Sequence, residues 1–148
     1  MSKKQPDVTL SLIISSVLLA FSVLFAMLLP TLLGWYLQFR AIRREIYLPL
    51  LLISYGCIAA AIVALVFLIR LLIRIRQGLL FVPENIRCLH ILSLCFLMAA
   101  LLSAGGGFLY FPFFAAAVGG IFMFLLLRVL RSAFLRAAEI KSENDMTI

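Results

Sequence analysis

The side chains able to do chemistry are few. His90 is the only histidine. An imidazole is the one side chain that titrates near neutrality unperturbed, but at the start of an apolar run it serves more simply as a polar group facing lipid headgroups. Cys57, Cys88 and Cys95 lie in or beside apolar runs with no metal-ligand spacing. Cys88 and Cys95 share a helix face, yet two turns place them about 10 Å apart along the axis, beyond disulfide reach. The cysteines are therefore expected to act as small hydrophobes. No Ser/His/Asp set, metal cluster or phosphate-cradling loop is visible, and no Asp, Glu, Lys or Arg stands near the middle of an apolar run. The chain is expected to be non-enzymatic, with no catalytic residue, metal or cofactor.

What remains is one polar island, GLLFVPENIR at residues 78–87, with Arg70, Arg74 and Arg76 before it. Pro83 suits the first position of a helix, and Glu84 in the first turn complements the helix dipole. Glu84 is also placed to pair with Arg70, Arg74, Arg76 or an arginine of the C-terminal tail. Asn85 can bond to backbone at a loop–helix junction. Capping explains these residue types, and a docking surface formed by Arg70, Arg74, Arg76, Phe81, Glu84 and Asn85 is the sharper alternative.

The elements that must hold this island follow from composition. Of 148 residues, 66% are hydrophobic, and the net charge is +7. A soluble chain of this size, expected to be one domain, could not bury that much apolar surface. The basic residues flank apolar runs instead of clustering on one face, so direct nucleic-acid binding is not expected and membrane lipids are the natural surroundings. Uncharged runs give spans at about residues 8–33, 47–69, 86–104 and 108–127, most of them near the roughly 20 residues a helix needs to cross a bilayer. The first run is longer than a signal-peptide core and is expected to be retained.

Between the spans, residues 34–46 read as a loop. The second helix should continue through Arg70, Arg74 and Arg76, with Gly78 as its C-terminal cap. Gly105, Gly106 and Gly107 should break the third helix in a tight turn, with Pro112 near the start of the fourth. The loop at 70–85 and the tail at 128–148 complete the chain, with a frayed end. Ten of the 13 basic residues lie in the N-terminal tail, in that loop with Arg87 just past it, and in the C-terminal tail; the other three are Arg40, Arg43 and Arg44. By the positive-inside rule both termini are cytoplasmic. Trp35, Tyr36, Tyr47 and Tyr110 fall at the opposite interface, as an aromatic belt would.

Lipid tails are as apolar as leucine, so close backbone approach must help hold spans together. Gly56, Ala60 and Ala64 offer a small-residue face on the second span. Ala99, Ala100, Ser103 and Ala104 do so on the third, Ala115/Gly119 or Ala116/Gly120 on the fourth, and Ser22 and Ala26 on the first. The expected architecture is an all-α, integral-membrane four-helix bundle, with homo-oligomerisation an alternative use of the same faces.

Phe81, Glu84, Asn85 and Leu89, just before the third span, resemble the F-x-x-E-N-x-x-x-L signature of the bacterial domain-of-unknown-function 2975 family. The ending at residues 143–148, acidic residues followed by Thr147 and Ile148, is similar to that family's usual terminus. Span count and length agree, so the resemblance extends over essentially the whole chain. Family members often carry further basic residues after Glu-Asn, where this chain has Cys88 and His90. The resemblance implies a small multi-pass protein of the bacterial cytoplasmic membrane with no established catalytic activity, typically paired with a small cytosolic helix-turn-helix regulator of the Xre type.

The functional expectation is a membrane protein that presents its cytoplasmic loop and tail to such a partner. One alternative is a small transporter or immunity-type protein handling an apolar compound, in a cavity lined by Ser54, Tyr55, Cys57 and Ser103. Another is a structural subunit of a membrane complex.

Overall fold

A computed structural model describes residues 6–146. Four helices account for nearly all of them: α1 (Pro6–Phe39), α2 (Tyr47–Arg76), α3 (Pro83–Gly107) and α4 (Phe113–Met146), with one 3-10 turn at Arg44–Ile46 before α2. All four are long and apolar enough to cross a membrane. Together they mark a multi-pass membrane protein. At 1.5 Å per residue, 34-residue helices such as α1 and α4 run to about 51 Å. A hydrocarbon core is only about 30 Å thick, so both helices extend past it.

The helix ends differ from the sequence expectation in three places, each for a backbone reason. Residues 34–39 are helix, not loop. The Ala41 and Ile42 amides donate to the Gln38 and Leu37 carbonyls at 3.2 and 3.0 Å, which closes α1. In that motif Ala41 takes φ +51°, a left-handed conformation usually given to glycine.

Gly105, Gly106 and Gly107 do not break α3; they are its last turn. A glycine costs about 1 kcal/mol in a helix, but backbone groups released inside lipid find no water to bond. The missing side chains are also used, because Phe113 and Phe114 lie where Cβ atoms on Gly106 and Gly107 would stand. The connection is instead the segment 108–112, so α4 begins at Phe113 rather than Phe108.

The tail is not frayed before Met146. It is the last part of α4, carried outward by Ala137, Ala138, Glu139, Lys141 and Glu143, mostly strong helix formers. Lys3 and Lys4, used in the charge count, and Thr147 and Ile148, used in the resemblance, lie outside the described residues.

Packing follows chain order: α1 lies along α2, α2 along α3, and α3 along α4. Among the described residues α1 and α4 do not pack lengthwise, so the arrangement is a row with α3 inside it and not a closed bundle. Small residues decide the contacts. A Cβ on Gly120 would sit 2.9 Å from the Ala100 Cβ, and one on Gly56 would sit 2.8 Å from Leu102. Gly119 has open space beside it, and Ala115 is exposed; among the described residues that face of α4 meets no neighbour. Ala64, Leu71, Cys88, Leu89, Leu92 and Leu127 form the main buried cluster, drawn from α2, α3 and α4.

Two tyrosines fasten α1 to α2. Pro30 has no amide hydrogen to donate, which leaves the Ala26 carbonyl without its helical partner. The Tyr55 hydroxyl donates to that carbonyl at 3.2 Å, and Tyr47 donates to the Pro30 carbonyl at 3.2 Å. The same end is tied across the row by a hydrogen bond between the Tyr36 and Tyr110 hydroxyls. That bond, with burial, pushes the Tyr110 hydroxyl above its ordinary titration range. Short connections make successive helices antiparallel, so the 77–82 loop shares its end of the row with Pro6 and Met146.

A candidate docking surface at the α2–α3 loop

The loop is built from two helix caps and one amide. At the end of α2, the Leu79 and Gly78 amides donate to the Arg74 and Ile75 carbonyls, each at 3.0 Å. This pairing requires a left-handed residue after the cap, and Gly78 supplies it at φ +81°. On the far side Val82 is extended and Pro83 opens α3, as the fixed φ of proline favours.

Asn85 joins the two. It is fully buried. Its Nδ2 donates to the Leu79 carbonyl at 2.7 Å and the Leu80 carbonyl at 2.8 Å. Its backbone amide donates to the Val82 carbonyl at 3.1 Å. One side chain therefore sets the path of the whole connection. Its Oδ1 is buried with no partner among the described residues, as is Nε of Arg131 on α4.

Packing then fixes what the loop shows. Phe81 is half-buried, its ring centroid 5.8 Å from that of Phe134 on α4. Leu89, one turn past Asn85, belongs to the main buried cluster. With the backbone held, Leu79 and Leu80 remain 47% and 38% exposed, beside exposed Arg76, Glu84 and Arg87. The result is a small apolar patch ringed by charge at the end of the row, away from the apolar midsections of the helices.

The sequence-selected residues divide accordingly. Phe81 and Asn85 shape the loop, while Arg76 and Glu84 border it. Arg74 is turned to α3, its Nη1 3.6 Å from the Cys88 Sγ. Arg70 lies back on α2 with its guanidinium 5.6 Å from the Phe67 ring centroid, the posture of a long cationic side chain along an apolar surface. The expected pairing of Glu84 with an arginine is not present among the described residues; Arg70 and Arg74 are drawn toward the helices instead. Sequence reasoning missed Leu79 and Leu80, whose exposure depends on the Asn85 bonds, and Phe134, which is distant in sequence. The available signal was two leucines between Gly78 and Pro83, in a segment too short to hide them.

The polar atoms named for a transport cavity are occupied within the protein. Ser54 Oγ donates to the Leu50 carbonyl at 2.8 Å, Tyr55 reaches Ala26, and Cys57 Sγ lies 3.4 Å from Ser103 Oγ.

Comparison with known proteins agrees with the loop motif. No match was found among curated proteins or among solved structures. The family whose description reads "Protein of unknown function (DUF2975)" matches residues 40–148, a segment that begins just after α1 and takes in the loop and α4. The resemblance thus leaves α1 outside it, and over most of its length the chain belongs to the DUF2975 family of proteins of unknown function.

Proposed function

We propose that this is a non-enzymatic multi-pass protein of the bacterial cytoplasmic membrane, both termini cytoplasmic, that presents the α2–α3 loop and the end of α4 to a soluble partner. The observation that carries the proposal is the exposure of Leu79 and Leu80 on a loop whose backbone is locked by Asn85. Exposed leucines within a span face lipid. These lie beside charged residues at a helix junction, where a preformed apolar patch with a polar rim suits a protein partner. The excess of basic residues in the same loop and in the tails supports a cytoplasmic address.

A small helix-turn-helix regulator of the Xre type is the partner the family resemblance suggests. Held at the membrane, such a regulator would be kept from DNA until the helix row is disturbed. In a pull-down from gently solubilised membranes, the wild-type chain should recover the regulator. A Leu79→Ser plus Leu80→Ser variant, and separately Glu84→Ala plus Asn85→Ala, should lose most of it. Equal recovery by all three proteins, or none by the wild type, contradicts the proposal.

A further inference from the structure

At the opposite end of the row, where α1 turns into α2, a cavity of about 560 Å³ opens beside Gly34, Leu37, Gln38, Ile42, Arg44 and Tyr47. We propose that it is a binding site for the headgroup of an anionic phospholipid. The proposal stands apart from the docking surface and would survive its failure.

Four features converge. The size lies within the range of ligand pockets, about 300–1,000 Å³. The position is that of a membrane interface: Tyr47 lines it, and Trp35 and Tyr36 are the chain neighbours of Gly34 and Leu37 on α1, the residue types that settle at headgroup depth. Leu37 and Ile42 supply apolar walls. The Tyr47 hydroxyl is already committed to the Pro30 carbonyl, so its ring serves as another wall. The polar side chains of the lining residues are Gln38 and Arg44, and among the described residues Arg44 has no acidic partner. A guanidinium grips phosphate bidentately.

Charge selects among headgroups. Arg40, Arg43 and Arg44 outnumber Glu45 in this connection, which opposes the cationic group of a zwitterionic lipid. Arg40 does not line the cavity; its guanidinium lies 6.0 Å from the Tyr36 ring centroid. The turn is held in shape by Ala41 at φ +51°, a strained conformation for a residue with a Cβ. Strain of this kind gathers at ligand clamps.

Trp35 is the only tryptophan, follows Gly34 of the lining in sequence and is largely exposed, so its fluorescence reports lipid at this end of the row. The full chain is placed in phosphatidylcholine nanodiscs containing a minor fraction of brominated phosphatidylglycerol or, separately, brominated phosphatidylcholine. Relative binding constants are then taken from the quenching. Phosphatidylglycerol should be preferred about fivefold, the enrichment one basic residue gives at a charged lipid surface.

Arg44→Gln should remove the preference, and Gly34→Leu, which fills the cavity while leaving every charge in place, should remove it too. Arg43→Gln, the neighbouring arginine outside the lining, should keep it. Added inorganic phosphate should not compete. Equal quenching by both lipids overturns the proposal, as does a preference that survives Arg44→Gln or one lost equally with Arg43→Gln. Displacement by inorganic phosphate also overturns it, since the site would then belong to a free anion. Helix content measured by circular dichroism accompanies each variant, and a preference that survives in a folded Gly34→Leu counts against the cavity.

Discussion

Asn85→Asp is expected to destabilise the protein by about 3–5 kcal/mol and to open the α2–α3 loop. The Nδ2 group that bonds the Leu79 and Leu80 carbonyls would be replaced by an oxygen. Each carbonyl left without its donor in this part-buried turn costs up to about 1–3 kcal/mol. An ionised carboxylate facing two carbonyl oxygens in a fully buried position adds a desolvation penalty, so the aspartate would have to take up a proton to remain inside. Hydrogen exchange should rise across residues 79–89, and reversible unfolding in detergent should shift to milder conditions. Glu84→Gln, one residue earlier and exposed, should move stability by no more than about 0.5 kcal/mol. Equal behaviour of the two variants would mean that Asn85 does not hold the loop.

The second large effect is a contrast between adjacent glycines. At Gly120 an added Cβ would lie 2.9 Å from the Ala100 Cβ, 3.2 Å from the Ala100 Cα and 3.3 Å from the Phe96 carbonyl oxygen. Two of those three atoms are backbone and cannot swing away. Gly120→Ala must therefore part α3 from α4, at a cost of about 1–3 kcal/mol. At Gly119 nothing lies within 4 Å, and Gly119→Ala should gain about 0.5–1 kcal/mol from helix propensity. The two substitutions add the same methyl group to the same helix, so lipid solvation changes almost equally and packing decides the sign. Reversible unfolding of both variants in mixed micelles checks this. A loss at both positions, or at neither, would place the α3–α4 contact elsewhere on α4.

These cases show where the sequence was legible and where it was not. Four apolar runs, Gly78 as a cap and Pro83 as a helix start were readable because each rests on local chemistry: transfer from water, a left-handed backbone or a missing donor. Asn85 bonding to backbone was readable as a type of contact, although its partners in the preceding loop were not. The glycines at 105–107 misled because helix propensity measured in water favours a break, whereas in lipid an unpaired backbone costs more. Gly119 and Gly120 were equivalent candidates until the rotation of α4 about its axis was known, and that angle is set by Ala100 and Phe96 on another helix. In sequence, Leu79 and Leu80 read only as part of the polar island at 78–87. The bonds from Asn85 fix the backbone on which they stay exposed. The row of helices, in place of a closed bundle, depends on α1 finding one close neighbour, a property of four faces at once.

The central claim is that the α2–α3 loop faces the cytoplasm. Replacing Cys57, Cys88 and Cys95 with serine and introducing one cysteine at Glu84 or at Arg43 allows labelling with a membrane-impermeant maleimide. The account predicts that cysteine at position 84 reacts only after the cells are permeabilised, while cysteine at position 43 reacts in intact cells. Labelling of position 84 in intact cells would contradict it.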